Sequence, residues 1–234
     1  MIQALKSYRF AIKYVIGFGT KKIPQSKYRY VEEEYLGPDE KQVPMRIYYS
    51  HKITKKTIII FLGASPDGEK HKAVNLLAKN LASLGYNVFV PRIPPLMQLN
   101  ISNDNVDWIR YIYNMIQDRK DVDNKNIIGF GISYGGGMLL KASLEEEFQR
   151  NPLKSIYLYG SGCNTDTILR FITKGEFEVG GEIRKITPHD WGLTVFFHHF
   201  MDEIDFGFDK KQIKEVIQLR VSGQKEKSND KIKL

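Results

Sequence analysis

Apolar runs of strand length alternate with segments of helical period through the middle of this 234-residue chain, and that alternation limits its possible folds more than any other feature. Thr57-Ile58-Ile59-Ile60-Phe61-Leu62 has the length of a buried strand. It leads through a turn-rich loop, Gly63 to Gly68, into Val74, Leu77, Leu81 and Leu84, which recur at helical spacing until Gly85 stops the helix. Asn87 to Val90 is a second short run, closed by Pro91, Pro94 and Pro95. Val106, Ile109, Ile112 and Ile116 then predict a helix from about Asp104 to Gln117. A third run, Asn126 to Phe130, precedes a helix through Leu139, Leu140 and Leu144, and Ser155 to Tyr159 is the last strand of the series. Ahead of them, 28–35 and 43–49 read as half-buried strands. Strands joined by helices of this length need right-handed crossovers. The expected fold class is therefore α/β, a mostly parallel sheet with helices on both faces, and ligands collect beyond the carboxyl ends of such strands.

The chain divides by pattern into a basic N-terminal arm (1–26), the α/β core (27–163), a helical cap or lid region (164–223) and a polar, frayed tail (224–234). Residues 166–208 read as helices and loops that pack over the carboxyl ends of the strands. The net charge of +8 suggests nucleic acid until its position is noted. Seven basic residues and no acidic one precede Glu32, a further basic excess follows Asp209, and the body between them is slightly acidic. Such a body offers no stripe for a phosphate backbone, so no nucleic-acid partner is expected. The arm carries Phe10, Ile12, Tyr14, Val15, Ile16 and Phe18 among its cations, and reads as a solvated or packed segment, with contact to anionic lipid as the alternative. Lys13 interrupts its apolar run, which argues against a signal peptide and against a membrane span. The single cysteine, Cys163, excludes an internal disulfide, so a cytoplasmic chain is expected, membrane-associated if the arm binds lipid. Nothing in the sequence sets the oligomeric state.

The motif that carries chemistry is Gly131-Ile132-Ser133-Tyr134-Gly135, which matches G-x-S-x-G and falls between a buried strand and a helix. Acyl transfer needs a serine lifted on a tight turn at a helix N-terminus, where the flanking glycines remove colliding side chains. The structural alternative is a glycine-rich strand-to-helix turn without chemistry. A dinucleotide fingerprint opening at Gly129-Phe130-Gly131 fails at its third glycine, which is Tyr134, and follows the fifth strand rather than the first. No metal-ligand spacing is present, and the adjacent His198 and His199 would point to different helix faces.

The order of strands, the Ser133 turn and the short loop after Leu62-Gly63 resemble the α/β-hydrolase family, particularly its esterase and lysophospholipase-like members, over about Tyr28 to Tyr159. The resemblance implies Ser133 as nucleophile, the backbone N–H groups of Ala64 and Tyr134 as oxyanion donors, a small-molecule carboxylic ester as substrate and no cofactor or metal. Two departures stand out. The family usually has His-Gly at Leu62-Gly63, and it places its acid after a seventh strand and its histidine after an eighth. This chain lacks both strands, so its C-terminal part reads as incomplete. After Ser133 the only histidines are His189, His198 and His199; His189, beside Asp190, is the candidate base and Asp166 the candidate acid. Three readings stay open: a hydrolase with a relocated base, a degenerate hydrolase fold that binds without turning over, and the N-terminal part of a longer hydrolase.

Overall fold

The computed structural model describes residues 2–205, 207 and 209–232. The chain divides into two compact units, Met1–Met97 with Ser102–Ser161, and Gln98–Ile101 with Gly162–Leu234.

The first unit runs α1 (Ile2–Thr20), β1 (Tyr28–Leu36), β2 (Gln42–Ser50), β3 (Thr57–Phe61), α2 (Lys72–Leu84), β4 (Asn87–Pro91), α3 (Pro94–Met97), α4 (Asn105–Gln117), β5 (Ile127–Ile132), α5 (Tyr134–Ala142), α6 (Glu146–Arg150) and β6 (Ser155–Tyr159). Six strands form one sheet in the order β1-β2-β4-β3-β5-β6. The β1–β2 and β2–β4 pairs are antiparallel and the other three pairs parallel, so the sheet is mixed and its parallel part is the one that the strand–helix alternation predicts. Alternation in β3 sends Ile59 and Phe61 to one face and Ile58 and Ile60 to the other. On the first face they meet Ile109 and Ile112 of α4 and Met138 and Leu139 of α5. On the second they meet Val74, Leu77 and Leu81 of α2, whose end is fixed by Gly85 at φ 111°. Helices therefore cover both faces, and burial on both sides is why β3 and β4 read as unbroken apolar runs.

The two edges of the sheet differ. Along β1, Arg29, Glu32, Glu33 and Glu34 interrupt the strand with charge, whereas β6 is Ser155-Ile156-Tyr157-Leu158-Tyr159 and carries none. Tyr157, Leu158 and Tyr159 are exposed, and no further strand joins β6 among the described residues.

The basic arm is a helix. Phe10 of α1 meets Tyr86 edge-on, and Asn80 Nδ2 donates to the carbonyl oxygen of Tyr14 at 2.8 Å.

The second unit contains α7 (Thr165–Lys174), β7 (Glu176–Val179), β8 (Glu182–Lys185), α8 (Asp190–Phe200), α9 (Lys211–Val221) and α10 (Lys225–Ile232). Two expectations need correction. The stretch 166–208, expected as helices and loops, includes a separate antiparallel hairpin, β7–β8, turned at Gly180 and Gly181 with φ of 63° and 84°. Glycine reaches these angles at little cost; Phe177 and Val179 share one face of the hairpin and Ile183, opposite Glu178, lies on the other. The tail, expected to be frayed from Gln224, forms α10, in which Ser228 is fully buried and accepts a hydrogen bond from Arg220 Nε at 3.1 Å. Phe206, Phe208, Lys233 and Leu234, part of the same expectations, lie outside the described residues.

Candidate active site

Ser133 occupies the single-residue step between β5 and α5, with φ 53° and ψ −131°. Few non-glycine residues adopt such a conformation, and holding one there costs about 1–3 kcal/mol. Two backbone bonds hold it. Its N–H donates to the Tyr159 carbonyl oxygen at 2.9 Å, and its own carbonyl oxygen accepts from the Gly136 N–H at 3.0 Å. The result is an exposed serine at the carboxyl end of a parallel strand. Within the first unit, among the described residues, the Ser133 hydroxyl has no hydrogen-bond partner.

The glycines of the motif are explained by space rather than by torsion. A Cβ at Gly131 would lie 2.3 Å from the Gly136 Cα, and one at Gly135 would lie 2.1 Å from the Leu62 carbonyl oxygen. Helix α5 thus sits directly on the ends of β5 and β3, an approach that no side chain permits. The same closeness brings the loop after β3 to the serine, since a Cβ at Gly63 would lie 3.2 Å from Ser133 Oγ. Ala64, the next residue, is buried. Tyr134 opens α5, at the end of the helix that carries partial positive charge. The packing of α5 on the sheet therefore brings Gly63 and Ser133 together, with Ala64 next to the one and Tyr134 next to the other in the chain.

The loop after β3 is pinned further along its length. Glu69, with no exposed surface, accepts two hydrogen bonds from Arg92, at 2.8 Å from Nε and 2.6 Å from Nη2. Arg92 directly follows β4, and its hydrogen bonds to the Glu69 carboxylate raise its already high pKa. The Ser65 N–H also donates to the Leu96 carbonyl oxygen at 3.0 Å. A cavity of about 10 Å³ opens between Leu62, Gly63, Ser65, Gly68, Ile93 and Leu96. That is room for a water and not for an ester.

The side chain of Tyr134 is not a base. Its hydroxyl donates to the Ser102 carbonyl oxygen at 2.8 Å, and burial pushes the phenol up to about 12, so it remains protonated at neutral pH.

His189 is the N-cap of α8, where its Nδ1 accepts from the Gly192 N–H at 3.0 Å. A nitrogen that accepts an N–H carries no proton, which leaves the proton of the neutral ring on Nε2. A serine triad needs the opposite tautomer, with Nε2 bare towards the serine and Nδ1–H towards the acid. Asp190 lies 3.7 Å from Arg220 and 3.6 Å from Lys225, as a partner of cations rather than of the imidazole. Asp166 is exposed in the first turn of α7, a favourable place for a carboxylate on helix-dipole grounds alone. His198 is exposed and His199 stands edge-on to Phe200 at 4.5 Å. The rule that acid and histidine follow the serine in chain order passes over His71. It precedes α2, which the chain enters from the carboxyl end of β3, and its Nδ1 is buried without a hydrogen bond.

No protein-family model matches the chain, and no curated protein resembles it in sequence. Solved structures do match it in backbone. A hypothetical protein from Pseudomonas aeruginosa aligns over 88% of this chain and 56% of its own, at 13% identity and a TM-score of 0.49. The Francisella virulence factor BioJ and the esterase Est22 each align over 70% of this chain and 55% of theirs, at 17% identity and a TM-score of 0.43. The chain thus spans little more than half the length of these structures. Judged by its own topology, with a mostly parallel sheet, helices on both faces and a strand-to-helix turn at Ser133, this is an α/β-hydrolase-like fold.

Proposed function

We propose that the chain is a serine hydrolase of the α/β-hydrolase type that acts on carboxylic esters, with Ser133 as its nucleophile. The observation that carries this reading is the backbone of Ser133, a strained left-handed step held by two hydrogen bonds at the exposed end of a parallel strand. Strain of this kind clusters at functional sites. In the proposed reaction the Ser133 hydroxyl oxygen attacks the ester carbonyl, and the developing oxyanion is met by the Ala64 and Tyr134 amides. Collapse breaks the ester C–O bond and expels the alcohol, which carries off the proton given up by the Ser133 hydroxyl, and leaves an acyl-serine. Water then adds to it, releasing the acid and returning a proton to the Ser133 oxygen.

A second reading, a binding module with a preserved turn, is favoured by one observation. The Ser133 hydroxyl has no base on it within its own unit among the described residues. Without an adjacent base a serine loses several orders of magnitude in rate.

The experiment that separates the two uses a fluorophosphonate probe and short p-nitrophenyl esters on the full chain and on Ser133→Ala. Probe adduct on Ser133 by intact-mass analysis, with turnover above that of Ser133→Ala, supports the hydrolase. Equal behaviour of the two proteins overturns it in favour of the binding module.

A further inference from the structure

Helix α1 has two apolar faces, and only one of them is used. Phe10, Tyr14 and Gly17 point to α2: Phe10 meets Tyr86, and a Cβ on Gly17 would lie 2.3 Å from Asn80 Oδ1. At 100° per residue, Tyr8, Ile12, Val15 and Ile16 share the opposite face. Their exposures are 71%, 59%, 66% and 57%. Large apolar side chains laid in a continuous stripe along a docked helix mark an interaction surface, unlike single ones scattered over a protein.

The charge around this stripe says what covers it. Arg9 and Lys13 flank it on one side, Lys21 and Lys22 follow the helix, all four are exposed, and no acidic residue lies before Glu32. A partner for this surface must be apolar at its centre and anionic around it. A nucleic acid would call for cations along the middle of the face, where this helix has Ile12 and Val15. A second copy of the chain would set the basic flanks against each other. A membrane of anionic lipid satisfies both demands, with headgroups against Arg9 and Lys13 and acyl chains under Tyr8, Ile12 and Ile16. The helix does not cross it, since no helix among the described residues is long and apolar enough.

We infer that α1 is an interfacial anchor that lays the protein on an anionic lipid surface. This rests on the α1 geometry and charge, and not on the chemistry at Ser133.

The test is co-sedimentation of the full chain with vesicles of mixed phosphatidylserine and phosphatidylcholine, beside vesicles of phosphatidylcholine alone. Binding to the mixed vesicles only is expected. Arg9→Gln/Lys13→Gln and Ile12→Ser/Ile16→Ser should each weaken it roughly tenfold or more, with the helical circular dichroism unchanged. Added salt should weaken it as well. No binding to mixed vesicles, or binding that ignores both variants, overturns the inference. Self-association in analytical ultracentrifugation that Ile12→Ser/Ile16→Ser abolishes, without vesicle binding, would assign the face to a second copy instead. Retention by an RNA oligomer without vesicle binding would also overturn it.

Discussion

Ser133 donates its backbone N–H to the carbonyl oxygen of Tyr159 at 2.9 Å, which carries the β5–β6 ladder one residue beyond the end of β5. The candidate nucleophile therefore hangs from the outermost strand of the sheet. Its positive φ is a property of this suspension and of the helix that starts beside it.

Relief of that backbone conformation should be measurable. Ser133→Gly is expected to be more stable than Ser133→Ala by about 1 kcal/mol, because glycine adopts φ 53° without a Cβ penalty and alanine does not. Urea denaturation of the two variants checks this. Equal midpoints would mean that the strain is absent in solution.

Gly135→Ala should disturb both stability and site. The new methyl would lie 2.1 Å from the Leu62 carbonyl oxygen, a backbone atom that cannot rotate away. A loss of about 3 kcal/mol is expected, together with loss of fluorophosphonate labelling at Ser133. A variant that denatures like the parent would show that α5 can slide away from the sheet.

The Glu69–Arg92 pair should respond unequally to its two deletions. Glu69→Gln removes the buried charge and keeps a polar group, at a cost of about 2 kcal/mol given that Arg92 is partly exposed. Arg92→Met leaves a fully buried carboxylate without its cation and should cost more. Denaturation midpoints of both variants decide the order.

His189 should behave as a cap. His189→Ala is expected to lose about 1 kcal/mol through the N-terminus of α8 and to leave the labelling rate of Ser133 unchanged, while His189→Asp keeps the stability. Loss of labelling in both variants, with the fold intact, would return His189 to the role of base.

Asp121 sets a pH signature. Partial burial pushes its carboxyl up, but hydrogen bonds from Arg119 and from the Tyr49 hydroxyl outweigh this and hold it below the ordinary aspartate value. A depressed folded-state pKa lends stability above the unfolded-state value, and that stability is lost as pH falls through the folded value. Melting temperatures measured from neutral pH into the acid range should therefore drop less steeply for Asp121→Asn than for the parent.

The parts of the fold that could be read from the sequence are those whose burial is two-sided. The runs at Thr57–Leu62 and Asn87–Val90 announced themselves because each residue faces a helix layer, and Ser133 was placed by the strand on one side and the helix on the other. Elements with little apolar surface were harder. Of the apolar residues in the β7–β8 hairpin only Phe177 is partly buried, Val179 and Ile183 being exposed among charged residues, although Gly180-Gly181 between the two strands is the mark of a two-residue turn. Helix α10 has no apolar period and is held by Ser228 and Arg220, a polar contact that a hydrophobic pattern cannot announce. The basic arm concealed α1 because its apolar residues fall on two opposite faces, which blurs a search for one. His71 precedes Ser133 in the chain, so an order of serine, acid and histidine does not point to it.

The unequal edges of the sheet have a consequence for assembly. A strand added at β1 would have to lie beside Glu32, Glu33 and Glu34, while one added at β6 meets only uncharged side chains. In polymer terms the sheet has one terminated end and one reactive end. Two molecules that joined through β6 would each present only their blocked β1 to the outside, so growth by strand addition stops at a pair and does not run on into a fibre.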